Sequence, residues 1–105
     1  MKGSKAIPAT VQRFLAKRAA RYPAIKRMIL YGSRARGDAK TRSDFDLAVI
    51  APRMPAAAWS RFALEVEEEI PTLCGVDILL LNKQTSRPLR TRIKAEGVTI
   101  YECAA

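Results

Sequence analysis

The sequence predicts an α/β (α+β) domain with a small mixed β-sheet flanked by helices. Segments in which apolar residues follow helical spacing alternate with short apolar runs typical of strands, in the order α-β-β-α-β-α-β. The chain has 105 residues, which is enough for one modest core and too few for two. We therefore expect a single domain over 1–105, with 1–6 as a flexible tail.

The first helix and strand are marked by proline and glycine. Pro8 suits a first helical turn, and Pro23 ends the helix. The inward positions of this helix are Val11, Phe14, Leu15, Ala19 and Tyr22. Residues 25–31 are then predicted to form a strand, which Gly32 breaks.

A basic loop and a second strand follow. Residues 34–43 carry four Lys and Arg residues and are predicted to form a loop, since they are too polar for a core. The second strand covers 45–50, and Pro52 closes it. Its period of two places Asp44 and Asp46 on one face of the sheet. The opposite face receives Phe45, Leu47 and Val49.

A second amphipathic helix is predicted between Pro55 and Pro71, with its acidic end as a solvated face. Its inward positions are Trp59, Phe62, Ala63, Val66 and Ile70. The run 76–81 is the most apolar strand, and we predict it to be central in the sheet.

The last helix and strand complete the predicted order. Ser86 can cap a third helix, in which Leu89 and Ile93 face inward, and Gly97 lies just beyond its end. The final strand, 98–101, is predicted at an edge of the sheet.

Composition excludes several classes of site. There is no histidine, so Ser-His-Asp sites, Cys-His sites and imidazole zinc sites are excluded. Any metal must then be held by oxygen, which points to magnesium, manganese or calcium. Cys74 and Cys103 are predicted to be buried thiols. No apolar run approaches the ~20 residues of a membrane span, so we expect a cytoplasmic protein.

The formal net charge is +9 and is unevenly placed. Ten Lys and Arg residues precede Asp38, and no acidic residue does. A basic surface attracts nucleotides, nucleic acid or an acidic protein face, although solubility alone can also account for such a charge.

A Gly-Ser turn at the end of a strand is the first candidate for binding. Gly32 leaves room for a ligand against the backbone, and Ser33 adds a hydroxyl beside exposed N–H groups that can contact phosphate oxygens. Arg36 can add a bidentate contact to the same phosphates. The turn is not a P-loop, because no glycine-rich run ends in Gly-Lys-Ser/Thr.

Three aspartates at the start of apolar strands are the second candidate. Asp44 and Asp46 lie two residues apart and project to one side, so both can reach a shared pair of divalent ions, and Asp77 can complete the cage. Charge at the start of an apolar strand calls for a compensating cation. The alternative is structural ion pairing of these aspartates with arginines of the basic loop, namely Arg34, Arg36 and Arg42.

These motifs resemble the polymerase-beta nucleotidyltransferase superfamily. The matching segments are G-S-R-A-R-G at 32–37, S-D-F-D-L at 43–47 and V-D-I at 76–78. The chain is similar in particular to the stand-alone minimal nucleotidyltransferases of bacteria and archaea. This resemblance implies a polymerase-beta-like fold over nearly the whole chain.

The resemblance also implies a role for each motif residue. Gly32 and Ser33 would hold the β- and γ-phosphates of a nucleotide, with Arg36 beside them. Asp44, Asp46 and Asp77 would bind two Mg²⁺ or Mn²⁺ ions. The last of these would also help to activate the attacking hydroxyl. Arg34 and Arg42 could contact phosphate, the acceptor or only water, and the solvated interpretation is favoured for both.

Minimal nucleotidyltransferases are often antitoxins of HEPN-domain toxins and transfer adenylyl groups from ATP to a toxin tyrosine. The resemblance therefore implies ATP as substrate and a HEPN-type toxin as partner. Two alternatives stay open: a non-catalytic antitoxin that acts by contact, and a basic nucleic-acid-binding domain. The second is disfavoured because few aromatic residues accompany the basic ones.

Overall fold

The computed structural model of the protein describes residues 7–37 and 43–103. The helices are α1 (Ala9–Ala20), α2 (Ser33–Arg36), α3 (Ala56–Glu69) and α4 (Arg87–Glu96). The strands are β1 (Arg27–Tyr31), β2 (Phe45–Ile50), β3 (Val76–Leu80) and β4 (Val98–Glu102). The predicted alternation of helices and strands is confirmed, with α2 as one additional helical turn. The predicted tail, 1–6, lies outside the described residues.

The four strands form one mixed sheet in the order β3-β2-β1-β4. β1 pairs antiparallel with both β2 and β4, whereas β2 and β3 are parallel. The prediction of β4 at an edge is confirmed. The prediction of a central third strand is wrong, because β3 is the other edge and its residues are half-buried or exposed. Its apolar character reflects packing on both faces, with Ile78 and Leu80 on one and Leu79 on the other.

The main core lies between one face of the sheet and the helices α1 and α3. The alternation predicted for β2 is confirmed, since its odd-numbered residues are fully buried in this core. The core includes Val11, Leu15, Met28, Leu30, Phe45, Leu47, Val49, Phe62 and Val66. Tyr22, just after α1, and Phe62 on α3 meet edge to face, with 5.2 Å between their ring centroids.

The acidic end of α3 is partly an ion-pair site rather than the predicted solvated face. Arg18 on α1 binds Glu69 at 2.8 Å and Glu65 at 3.4 Å. The Tyr22 hydroxyl donates a hydrogen bond to Glu65 at 3.0 Å. These contacts tie α1 to α3 across the surface of the main core, while Glu67 stays exposed.

Among the described elements, α4 packs on the opposite face of the sheet. Ile93 packs there against three sheet residues, namely Ile29, Tyr31 and Ala48. The predicted cap of α4 is confirmed, because the backbone N–H of Leu89 donates to the Ser86 hydroxyl at 3.3 Å. Gly97 follows the helix as predicted, and a Cβ at this position would collide with the Ile29 side chain.

Two further expectations concern the cysteines and membrane spans. Neither Cys74 nor Cys103 forms a disulfide with a described residue, and both are half-buried rather than buried. Over the ranges that the structure describes, no helix combines the length and apolar character needed to cross a membrane.

Candidate active site

Three neighbouring strands place Tyr31, Asp46 and Asp77 in one row across the sheet. In the β1–β2 ladder Tyr31 is the partner of Asp46, and in the parallel β2–β3 ladder Asp46 is the partner of Asp77. Adjacent strands are about 4.8 Å apart, so the two carboxylates are immediate neighbours. The second and third strands are therefore neighbours, which is the arrangement that a shared cation site of Asp46 and Asp77 requires. All three residues lie on the face that α4 covers.

Asp46 is in a site that disfavours its charge. The carboxyl group is half-buried, and its pKa is raised first by loss of solvent and then by the negative charges of Asp77 and Asp44. Arg92 and Arg36 act in the opposite direction and do not cancel this effect. The position therefore holds an excess of negative charge that a cation would relieve.

Tyr31 reports the same excess of negative charge. Burial, followed by the charges of Asp46 and Asp77, raises the pKa of its phenol to about 12. Its side chain is only 4% exposed. The phenol thus stays protonated at neutral pH and provides an uncharged wall beside the two carboxylates.

Gly32 is the residue against which Asp46 rests. Its backbone has φ +80°, a region that disfavours any side chain. A Cβ at this position would collide with Oδ2 of Asp46. Glycine is therefore required both for the turn after β1 and for the close approach of the carboxylate to the backbone.

Asp44 is held at the other side of the site, near the start of β3. An ideal Cβ on Gly75 would lie 2.6 Å from Oδ1 of Asp44, so this carboxylate also rests against a glycine. Asp44 is exposed, in contrast to Asp46. The two motif aspartates of β2 thus approach glycines of different segments, one after β1 and one before β3.

Ser33 and Arg36 lie on a single helical turn rather than in the predicted loop. The N–H of Arg36 donates to the Gly32 carbonyl at 3.0 Å, and the N–H of Gly37 donates to the Ser33 carbonyl at 3.0 Å. Gly37, with φ +88°, then ends the turn. Arg36 forms an ion pair with Glu96, with 3.2 Å between Nη1 and Oε1. That contact links the turn to the end of α4.

Arg34 is a packing residue, so its interpretation as mainly solvated is wrong. Its guanidinium lies 4.0 Å from the centroid of the Phe45 ring. Its Nε donates to the Ser43 carbonyl at 2.9 Å, and Nη2 donates to Sγ of Cys74 at 3.3 Å. These contacts join α2 to the start of β2 and to the segment before β3. Arg42 lies outside the described residues.

The aspartates suit a hard divalent cation by their chemistry. Within 7–37 and 43–103, none of the three forms an ion pair, so the alternative of structural pairing with Arg34 or Arg36 is not supported. In the same ranges no three acidic or thiol side chains converge as ready-made metal ligands. Carboxylate oxygens are the ligands that Mg²⁺ and Mn²⁺ prefer, and the donor set fits them.

Three residues of this region were not predicted from the sequence. Tyr31 directly precedes the Gly-Ser turn, and Gly75 stands two residues before Asp77, so their positions next to motif residues are a usable signal. Glu96 had no such signal, because only the fold brings the end of α4 to Arg36.

The geometry agrees with one known family. Residues 14–104 match the family model described as "Polymerase beta, Nucleotidyltransferase". The chain belongs to this family. The resemblance and the fold class predicted from the sequence are thereby confirmed. Comparison with curated proteins yields no match.

Solved structures of related folds support the assignment. A toxin-antitoxin crystallised with AMP-PNP gives a TM-score of 0.69 at 21% identity, over 89% of this chain and 74% of that one. The toxin-antitoxin MntA-HepT gives 0.62 at 19%, over 88% and 70%. A putative nucleotidyltransferase from Sulfolobus solfataricus gives 0.61 at 18%, over 96% and 83%. At these identities the likeness establishes a shared fold.

Proposed function

We propose that this chain is a metal-dependent nucleotidyltransferase that transfers AMP from ATP to a hydroxyl group on a protein partner and releases pyrophosphate. The observation that carries this proposal is the row of Tyr31, Asp46 and Asp77 beside Gly32. Negative charge is gathered there against a glycine turn, which suits a bound cation and an approaching phosphate. Membership of the nucleotidyltransferase family supports the reaction type.

The phosphate-binding part of the site is proposed to be the turn after β1. Gly32 has no side chain and lets phosphate oxygens approach the backbone. Ser33 contributes its hydroxyl and the N–H groups of the turn. Arg36 neutralises charge on the β- and γ-phosphates, in balance with its ion pair to Glu96.

The metal-binding part is proposed to comprise Asp44, Asp46 and Asp77, which would hold two Mg²⁺ or Mn²⁺ ions. Bound divalent ions would supply charge neutralisation on the phosphates and on the attacking and leaving oxygens. Loss of solvent, followed by the charges of Asp77 and Asp44, raises the pKa of Asp46, and a bound cation would relieve both effects. Tyr31 keeps the inner wall of this cluster uncharged.

The transfer itself needs positioning and one proton acceptor. The partner's hydroxyl oxygen attacks the α-phosphorus in line with the bond to the β-phosphate. A new bond forms between the hydroxyl oxygen and the α-phosphorus. The bond from the α-phosphorus to the bridging oxygen of the β-phosphate breaks, and pyrophosphate leaves. Asp77 is the proposed acceptor of the hydroxyl proton, because it is exposed and adjacent to Asp46.

The partner is proposed to be a HEPN-type toxin, with this chain as its antitoxin in the cytoplasm. Two structures that share this fold are those of toxin-antitoxins, one of them with AMP-PNP. A net charge of +9 also favours an acidic partner. We propose that 1–105 acts as a single minimal domain whose acceptor is supplied by that partner.

Intact-mass measurement of a candidate toxin tests this proposal. After incubation with the chain, ATP and Mg²⁺, the toxin should gain the mass of one nucleoside monophosphate. D46N should abolish the gain. E67Q is the matched control, since Glu67 is an exposed acid on the opposite face of the sheet, and it should leave the gain intact. No gain with ATP, GTP, CTP or UTP, or an equal gain with D46N, would contradict the proposal.

A further inference from the structure

A concave region lies on the same sheet face as the aspartates, at the other end of the strands. Along β1, Tyr31, Ile29 and Arg27 alternate onto this face, and Asp46 and Ile50 do so along β2. The depression beside Arg27 and Ile50 has a volume of about 380 Å³. It lies four residues along β1 from Tyr31, or about 13 Å. We name this depression the β1–α4 groove.

The floor of the β1–α4 groove is aliphatic. It is formed by Ile29, Ile50, Leu81 and Ile93. A neighbouring depression of about 440 Å³ shares Ile50 and Leu81 and continues along the loop after β3. Of these floor residues, Ile50 and Leu81 are half-buried, whereas Ile29 and Ile93 are buried. The accessible apolar surface is therefore provided mainly by Ile50 and Leu81, which the two depressions share.

The rim of the groove is basic. Arg27, Arg90 and Lys94 line it, and Lys83 lines the adjoining depression. No acidic residue within 7–37 or 43–103 lines either depression. Arg27 donates from Nη2 to the Thr99 hydroxyl at 2.7 Å. Its Nε is buried and has no acceptor among the described residues. A buried donor without an acceptor costs free energy.

We propose that the β1–α4 groove docks an acidic amphipathic helix of the protein partner. The aliphatic floor takes the apolar side chains of that helix, and carboxylates on its flanks pair with Arg90 and Lys94. RNA would satisfy the charges but not the floor, because base stacking needs aromatic side chains and the floor has none.

This inference rests on the proposed function and gives it a geometry. A helix docked in the groove shares a sheet face with Asp77, so the partner is anchored about 13 Å from the carboxylates. An acceptor hydroxyl elsewhere on the same partner is thereby brought within reach of the site. Docking itself involves neither ATP nor metal, so it is measurable independently of transfer.

Peptide binding to the full chain is the primary test. The probe is a fluorescent, stapled peptide of about four helical turns, with leucines on one face and glutamates flanking them. We expect it to bind with NMR shift changes centred on Ile29, Leu81 and Arg90. The variant R90E/K94E should weaken binding by roughly tenfold or more. The control R13E/K17E carries the same charge change, with the same spacing, on exposed positions of α1, and should bind like the unaltered chain.

Three outcomes would overturn the inference. They are an acidic peptide that binds no tighter than its lysine counterpart, equal losses in the two charge-reversal variants, and single-stranded RNA that competes at the same residues. D46N should bind the peptide normally, so a failure of transfer and a failure of docking are distinguishable. With a protein acceptor, R90E/K94E should raise the KM for that acceptor and leave the KM for ATP unchanged.

Discussion

Asp46 is placed where packing and electrostatics both disfavour a carboxylate. It is half-buried, its ladder partners are Tyr31 and Asp77, and it rests against Gly32. A residue that lowers stability in this way is expected at a functional site. The same arrangement makes its contributions to stability and to function separable by mutation.

Replacing Asp46 with Asn should abolish transfer and leave stability in EDTA unchanged or increased. The folded state raises the pKa of Asp46. The favourable contribution of this group to the free energy of unfolding is therefore fully present below its ordinary pKa of 3.8, and it is lost as pH rises through the raised pKa. The ionised group is therefore destabilising at pH 7, and D46N removes that cost. Urea unfolding at pH 7 should show a free energy of unfolding for D46N that equals or exceeds that of the unaltered chain. In acid, where residue 46 is uncharged in both proteins, any such difference should disappear.

Phe45→Ala, at the residue before Asp46, is a contrasting change because it is expected to lower stability. Phe45 is 1% exposed in the main core, so truncation should cost about 3–5 kcal/mol of unfolding free energy. If D46N instead unfolds the domain as Phe45→Ala does, Asp46 is a structural residue and the proposed role is wrong.

The two glycines with positive φ give a matched pair of changes. Gly32→Ala and Gly37→Ala each place a side chain in a strained conformation, at a cost of about 1–3 kcal/mol. Only Gly32→Ala also drives a Cβ into the Asp46 carboxylate, whereas at Gly37 no described atom lies within 4 Å. Nucleotide binding by calorimetry should be lost with Gly32→Ala and kept with Gly37→Ala. Equal losses would show that strain alone is responsible.

At the scale of elements, α2 connects the strands that carry the site. It is one helical turn, yet Arg34 connects it to Phe45 and Ser43 at β2 and to Cys74 before β3. These contacts fix the segment between β1 and β2 at the point where the phosphate turn meets the aspartates. Their loss should loosen the site as well as the fold.

Arg34→Ala should therefore lower the unfolding free energy by about 1–3 kcal/mol, through loss of the ring contact and of charged hydrogen bonds. Arg34→Lys should recover only part, since an ammonium lacks the planar, multi-donor guanidinium. The control is Arg21→Ala at an exposed position, expected within about 0.5 kcal/mol of the unaltered chain. Chemical denaturation measures all three, and an Arg34→Ala variant as stable as the control would restore the solvated interpretation.

Helices and strands were predictable where apolar residues with regular spacing are bounded by a proline, a glycine or a capping residue. The alternation in β2, the Ser86 cap and the ends near Pro55 and Gly97 are local features, and the structure contains them. The edge position of β3 was not predictable. An apolar run indicates that both faces of a strand are packed, but it does not indicate whether one or two other strands pair with it. The pairing of Arg36 with Glu96, 60 residues apart, depends on tertiary packing and has no local signature.

At the scale of the whole molecule, the two faces of the sheet have different tasks. One face carries the core with α1 and α3, which is closed and apolar. The other carries the row of aspartates, the helix α4 and the β1–α4 groove. Substitutions in the site are therefore largely decoupled from the core that holds the fold together.

Binding of ATP with Mg²⁺ should stabilise the whole domain. At free ligand about 100-fold above its Kd, the gain is about 2.7 kcal/mol. For a domain of this size, Tm should rise on the order of 10 °C. A thermal melt should show this rise only when nucleotide and metal are both present, with EDTA as the control. No shift with ATP, GTP, CTP or UTP at millimolar Mg²⁺ would argue against a nucleotide site.

The position of the transferred phosphorus tests the central claim most directly, because a nucleotidyltransferase acts on the α-phosphorus and a kinase on the γ-phosphorus. The chain and its candidate toxin are incubated with Mg²⁺ and ATP labelled at either the α- or the γ-phosphate. We predict that the α-label is found on the toxin and the γ-label in pyrophosphate, and that D46N transfers neither. Transfer of the γ-label to protein, or α-label on the toxin at an equal rate with D46N, would contradict the account.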